Sequence, residues 1–345
     1  MLAGPPPSRQ EAWCAWFGDV GGETLYFGVS AFWGAFRASG GDPRADLQIA
    51  GPRQIGRFDL ERESFREPLA AGPGDAPGGV WDVLVHPDGH VWFTTFFGLG
   101  GRVDPQSGRV RPLAEAGLAL NELALGPGDR VVASRYLADA EGRSEVLLLA
   151  RDGTPLRRLS LRAPSGLAVA AKSVAWDPVR DEIWVNTDLL DSQGQAVGHD
   201  ARVLDAEGHE RLRIATPEIQ FMAFSGEGTG WLAEREAGRL WLRILPAQPT
   251  GSAWPRGHRV LLDPAFASTD FVQEIRPAPD GSALLTRWSG RVHRVWSDGR
   301  IRSFQLPRDG GELYYTGVLH EGRLCATRCG SVDVVCRNAG PESDP

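Results

Sequence analysis

Three acids stand where a repeated pattern could do chemistry. Asp82, Glu122 and Glu274 each lie four residues ahead of the first turn in a recurring strand-turn-strand module, and Asn121, Lys172, Ser173, Gln220, Gln273 and Thr316 fill the same or adjoining places in it. If the modules surround an axis, these side chains converge. At an effective dielectric near 20, a pair of carboxylates ~4 Å apart costs about 4 kcal/mol, so the acids must take up protons or meet a cation. One answer is a hard ion: Asp82, Glu122 and Glu274, with amide oxygens from Asn121, Gln220 or Gln273, are ligands of the type that holds one Ca2+ or Mg2+. The other answer is arginine. Arg135, Arg235, Arg287 and Arg328 end the second strands of four modules in the matched tripeptides ASR, AER, LTR and ATR, where other modules have Val29, Thr95 and Thr187. Such arginines either make ion pairs between repeats, the more ordinary arrangement, or form a basic collar that grips an anionic ligand with Gln220 beside it. Lys172, the sole lysine, could bind a carboxylate or form a Schiff base, a solvated side chain being the plainer reading.

A long interruption, residues 31–53, separates the second and third strands of the first module. It carries Phe32, Trp33 and Phe36 among glycines. Aromatic side chains on such a loop need something to pack against, and a loop of this length inside a compact fold usually has a function. It is expected to cover the funnel where the acids meet. The loop over residues 189–200 opens on the same side.

The module that must position these groups is clearest at residues 80–113, VWDVLVHPDGHVWFTTFFGLGGRVDPQSGRVRPL, which breaks into four short β runs separated by Pro-Asp-Gly, Gly-Leu-Gly and Pro-Gln-Ser-Gly turns. Its first two runs are apolar almost without a break, so both faces of the small sheet need cover. Copies of the module supply it. The markers Asp82, Glu122, Ser173, Phe221, Glu274 and Thr316 are spaced 40, 51, 48, 53 and 42 residues apart, which predicts an all-β propeller of four-stranded antiparallel blades. A diverged copy before residue 80 raises the expected number of blades to seven, with six as the alternative. The last copy ends after a third strand at residues 331–337, so the ring is expected to close there on an N-terminal strand. Residues 12–338 then form one domain, between a flexible Pro-rich segment, 1–11, and a tail, 339–345. Trp92, Trp184 and Trp231, with Tyr26, recur at matched second-strand positions and are expected to pack between blades. His86, His90 and His320 fall in first turns, which predicts exposure.

The net charge of -7 argues against nucleic acid or an anionic membrane as partner. The N-terminal residues show neither a cationic start nor an apolar run of leader length, and four scattered cysteines read as buried thiols. A cytoplasmic protein, monomeric by default, is expected.

The texture of HPDGHVWFTTFFGLGGRVDPQSGRV at residues 86–110, with QIGRFD in the first copy, resembles the streptogramin lyase (virginiamycin B lyase) type of propeller, and more loosely NHL-repeat and SMP-30 gluconolactonase-like propellers. The resemblance implies the fold over residues 12–337. It also implies a metal-dependent C–O lyase or lactone or ester hydrolase as one function. The lyases use histidine and glutamate in the funnel, and Glu234 is the one acid at that end of a second strand here. The residues themselves favour a propeller that binds a small or peptide-like ligand. An interaction scaffold is the third reading.

Overall fold

Hairpins dominate because the turn residues recur. Gly89 adopts a φ of 86° and donates its N–H to the His86 carbonyl at 2.9 Å, a left-handed corner that favours glycine. The structure, a computed structural model, describes residues 14–30, 50–77, 79–95, 100–113, 120–135, 144–164, 166–247, 257–308, 313–330 and 332–339. Apart from one short 3-10 turn, Pro127–Asp129, every regular element among them is a strand. No described helix is long and apolar enough to cross a membrane.

Five antiparallel four-stranded sheets span residues 80–112, 123–161, 168–215, 218–263 and 272–305. The remaining strands form one seven-stranded sheet. In it the meander from Cys14–Gly21 to Ser64–Pro77 meets the meander of Leu313–His320, Arg323–Cys329 and Asp333–Asn338 through a single backbone pair, Cys14 with Cys329. The expectation of seven, or six, regular four-stranded blades is therefore corrected. Five sheets are separate four-stranded blades, and the strands from the two ends of the chain share a sixth. Closure also differs from expectation: the N-terminal strand bridges Arg323–Cys329, while Asp333–Asn338 pairs on that strand as well.

The inner strands Cys14–Gly21, Val80–Val85, Leu123–Leu125, Ala168–Asp177, Glu218–Phe224, Val272–Pro277 and Leu313–His320 follow one another around an axis. Between sheets lie separate apolar layers. Val132, Val146 and Leu148 pack on Val169, Ile183 and Val185, and Trp231 and Leu242 pack on Ile275 and Leu285. Each such side chain stabilises by roughly 1.5–3 kcal/mol when fully buried. Trp92, Trp184 and Trp231 are buried, and Tyr26 packs against the layer beside Phe93, as the matched positions predict. Glycine marks the closest approach: a Cβ on Gly28 would stand 2.6 Å from the Val80 carbonyl oxygen of the next sheet. His86 departs from the exposed turn expected for it. It is buried, with its Nε2 2.9 Å from the Asp129 carbonyl.

Polar clasps join neighbouring sheets near the axis. The Thr94 hydroxyl accepts the Asp82 N–H at 3.2 Å and donates to the Asn121 carbonyl at 3.1 Å. Thr327 repeats this where the ring closes, accepting from Thr316 at 2.9 Å and donating to Trp16 at 3.0 Å. The cysteines lie on the same seam, and their pairing corrects the reading of them as free thiols. Cys14 is bonded to Cys329, and Cys325 to Cys336 across adjacent strands. Disulfides persist in oxidising compartments, which removes one support from the cytoplasmic expectation. Ala339, the last described residue, is buried and donates to the Gly322 carbonyl at 2.8 Å.

The Cys14–Cys329 bond ties residues 315 apart in sequence, the span over which a cross-link restricts the unfolded chain most. Replacing both cysteines by serine is expected to lower stability in urea by about 2–4 kcal/mol. Four titratable thiols in the denatured, unreduced protein would overturn the pairing.

Candidate functional site

A β-bulge recurs where inner and second strands pair. Register shifts fall between Ala15 and Gly18, Val80 and Val83, Ala171 and Ser173, Ile219 and Phe221, Val272 and Glu274, and Tyr314 and Gly317. A bulge re-aims the side chains beside it. Just beyond these bulges the inner strands enclose a cavity of about 360 Å³ around the axis. Its lining runs in layers along the strands. Phe17, Asp82, Glu122, Val174, Phe221 and Glu274 come first, Leu123, Trp176, Met222 and Arg276 follow, and Leu125, Pro178, Phe224, Gly226 and Pro277 form the rim. The three acids singled out by repeat position thus meet on one floor.

The floor is short of positive charge. Arg276 is the lone cation of the lining and is ion-paired: its guanidinium donates to Asp19 Oδ1 at 2.6 Å, Glu274 Oε1 at 2.7 Å and the Gly18 carbonyl at 2.6 Å, its Nε–H remaining without a partner among the described residues. Asp82 accepts backbone N–H groups instead, from Val83 at 2.8 Å and Leu123 at 2.7 Å. Burial nevertheless pushes its carboxyl up to about 8, against those two bonds and with help from the charges of Glu274 and Asp19. Burial raises Glu122 well above the usual carboxylate range, with Asp82 and Glu274 adding to the rise and Lys172 opposing it. Glu274 is raised too, by burial that exceeds the pull of Arg276. For Arg276 burial works against the cation, and the charges of Glu274 and Asp19 outweigh it, so its pKa rises. Among the described residues, no group of three His, Cys, Asp or Glu side chains is arranged to hold a metal ion.

The arginine collar sits apart from this floor. Arg235, Arg287 and Arg328 pair in register with Glu218, Val272 and Tyr314, where inner strands begin, and Arg135 lies beyond Ala133 at the corresponding end. None of the four lines the axial cavity. Arg135 lies 3.6 Å from Glu145 and Arg235 2.6 Å from Glu218; Arg328 pairs with Asp333; Arg287 donates to Asp270 at 2.6 Å and to Asp263 at 2.8 Å. The expected picture of one funnel walled by acids and arginines together is corrected. Three of the four pairs stay within their own sheet, and only Arg287 reaches a preceding one, through Asp263.

Lys172, Gln220 and Arg235 do come together, around Glu218. Gln220 and Arg235 each donate to its carboxylate at 2.6 Å, and Lys172 Nζ stands 3.7 Å from Glu218 and from Asp188. Asp188 in turn holds His199 Nδ1 at 2.8 Å. Glu234 is buried between Arg243 and Arg259. Phe32, Trp33 and Phe36 lie outside the described residues. The strands flanking that segment pair at Val29 and Gln54, at the end of the axis away from the rim. Asp19 and Arg276 went unmarked in the sequence. Arg276 could have been found two residues beyond Glu274, on the same strand face, whereas Asp19 is hidden by the divergence of the first module.

No family model matches the chain, and no curated protein matches it. Solved structures do. A catalytically inactive virginiamycin B lyase from Staphylococcus aureus, crystallised with quinupristin, superposes with a TM-score of 0.62 at 12% identity, covering 93% of this chain and 94% of that one. The β-propeller domain of Myceliophteria thermophila Cps50 (Swd1) gives 0.59 at 11% identity, covering 91% and 96%. The likeness is one of fold. It bears out the propeller and its resemblance to the streptogramin lyase type, and the site stands on its own geometry.

The raised acids keep their protons in the folded chain at pH values where the unfolded chain has lost them. Stability therefore falls as pH climbs from the ordinary values, 3.8 for Asp82 and 4.5 for Glu122, towards the raised ones. Acids with lowered pKa, such as Asp263, act in the opposite sense below pH 4. The melting temperature is expected to fall between pH 5 and pH 8, and Glu122→Gln, neutral throughout, to flatten that fall. An unchanged slope in the variant would show that Glu122 is already ionised. Arg276→Met leaves Asp19 and Glu274 without their cation and is expected to cost about 3 kcal/mol in urea denaturation.

Proposed function

We propose that this protein is a ligand-binding propeller that holds a small molecule, or the side chain of a peptide, in its axial cavity. One observation carries the reading: a cavity of about 360 Å³ whose walls are apolar and whose floor gathers Asp82, Glu122 and Glu274. Sites for small molecules have this form, a mostly apolar concavity with a few convergent polar groups and perturbed acids. The bound molecule enters past Pro178, Phe224 and Gly226, and the polar floor fixes which end goes in first. The arginines hold the sheets in place.

Gly226 allows a direct test. It is exposed at the rim, has no left-handed φ, and a Cβ there meets nothing within 4 Å. Gly226→Trp should change stability by no more than about 0.5 kcal/mol while obstructing the mouth. Fragments found to bind the unaltered protein by ligand-observed NMR are expected to lose binding to this variant. Fragment binding that survives intact would place the site elsewhere.

A further inference from the structure

Resting on the axial cavity as the binding site, we infer that its ligand is an organic cation, an ammonium head on an apolar body, with the head seated among Asp82, Glu122 and Glu274. Four acids, Asp19, Asp82, Glu122 and Glu274, line the cavity against one cation, Arg276. Glu274 is nine-tenths buried, and its Oε2 has no hydrogen-bond partner while Oε1 takes Arg276. Asp82, equally buried, faces Glu274 and Asp19 with backbone N–H groups as its donors. Glu122 faces Asp82 and Glu274, with Lys172 the one opposing charge. That lysine is turned to Asp188, Glu218 and the Ile219 carbonyl and does not line the cavity. Arg276 already has its charge paired with Asp19 and Glu274, and its Nε–H is left without a partner among the described residues.

An ammonium group matches this deficit, because it brings three donors, one positive charge and no acceptor. A carboxylate or phosphate would add like charge to buried acids. A neutral hydroxyl would satisfy Glu274 Oε2 and leave the charge deficit unchanged. The walls suit the other end of such a molecule: Leu123, Leu125, Trp176, Met222 and Phe224 rise from floor to rim, and an aromatic face near a cation adds attraction. Seating the cation favours the ionised acids, so protons leave as it binds. Affinity therefore rises with pH up to the raised carboxyl values.

The test compares three probes with one phenylethyl body, 2-phenylethylamine, 2-phenylethanol and 3-phenylpropanoate, by calorimetry on the full chain at pH 6, 7 and 8 in buffers of different ionisation enthalpy. The amine is expected to bind at least tenfold more tightly than either analogue at pH 7, to release protons, and to tighten as pH rises. Glu122→Gln and Glu274→Gln, each first shown to melt cooperatively, should reduce that preference. Equal or tighter binding of the alcohol or the carboxylate would overturn the inference and leave the cavity reading standing. So would an amine preference that both variants keep, or displacement of the amine by Ca2+ or Mg2+ at equal concentration. If no probe binds while Gly226→Trp still removes other fragments, the ligand class is wrong. If Gly226→Trp removes none, the cavity reading has failed first.

Discussion

Rotational repetition forces equivalent positions to meet. Each inner strand places the same point of its module against the axis, so a residue type used twice there confronts itself at short range. The fold tolerates Asp82, Glu122 and Glu274 on one level because the other modules put Phe17, Val174 and Phe221 there. Arg276, one layer up, ties Glu274 and Asp19 to itself. Packing, protonation and charge at the axis therefore follow from a single geometric demand.

The same demand explains what was legible in the sequence. Turn residues and apolar runs repeat because every blade solves the same packing problem, so the module, the matched tryptophans and the meeting of the acids could be read from spacing. Charge partners could not. Arg235 and Arg287 occupy equivalent places, yet the first pairs with Glu218 inside its sheet and the second with Asp263 of the sheet before. Those acids lie in segments whose length varies between modules, where repeat counting loses register. Spacing locates the level of the acids and says nothing about which side of that level is filled. Trp16, Trp81 and Tyr315 stack against one another on the near side, with Phe17 between them and the void.

The cysteines show a different limit. Cys14 and Cys329 looked unrelated because a chain that closes into a ring brings together residues at maximal sequence distance, and no local pattern records it. Their partnership follows from the register of one backbone pair. Cys325 and Cys336 face each other across a hairpin, and the short separation hid nothing except the alternation that points both to one side.

The seam between Cys14 and Cys329 also sets a clock on biosynthesis. Its two halves leave the ribosome 315 residues apart, roughly 15–60 s at ordinary elongation rates. Throughout that interval the first meander has an unsatisfied flank, although the five complete sheets behind it can assemble in order. The nascent protein is therefore an open arc, with Trp16 and Cys14 waiting at one tip for Thr327 and Cys329 to emerge at the other.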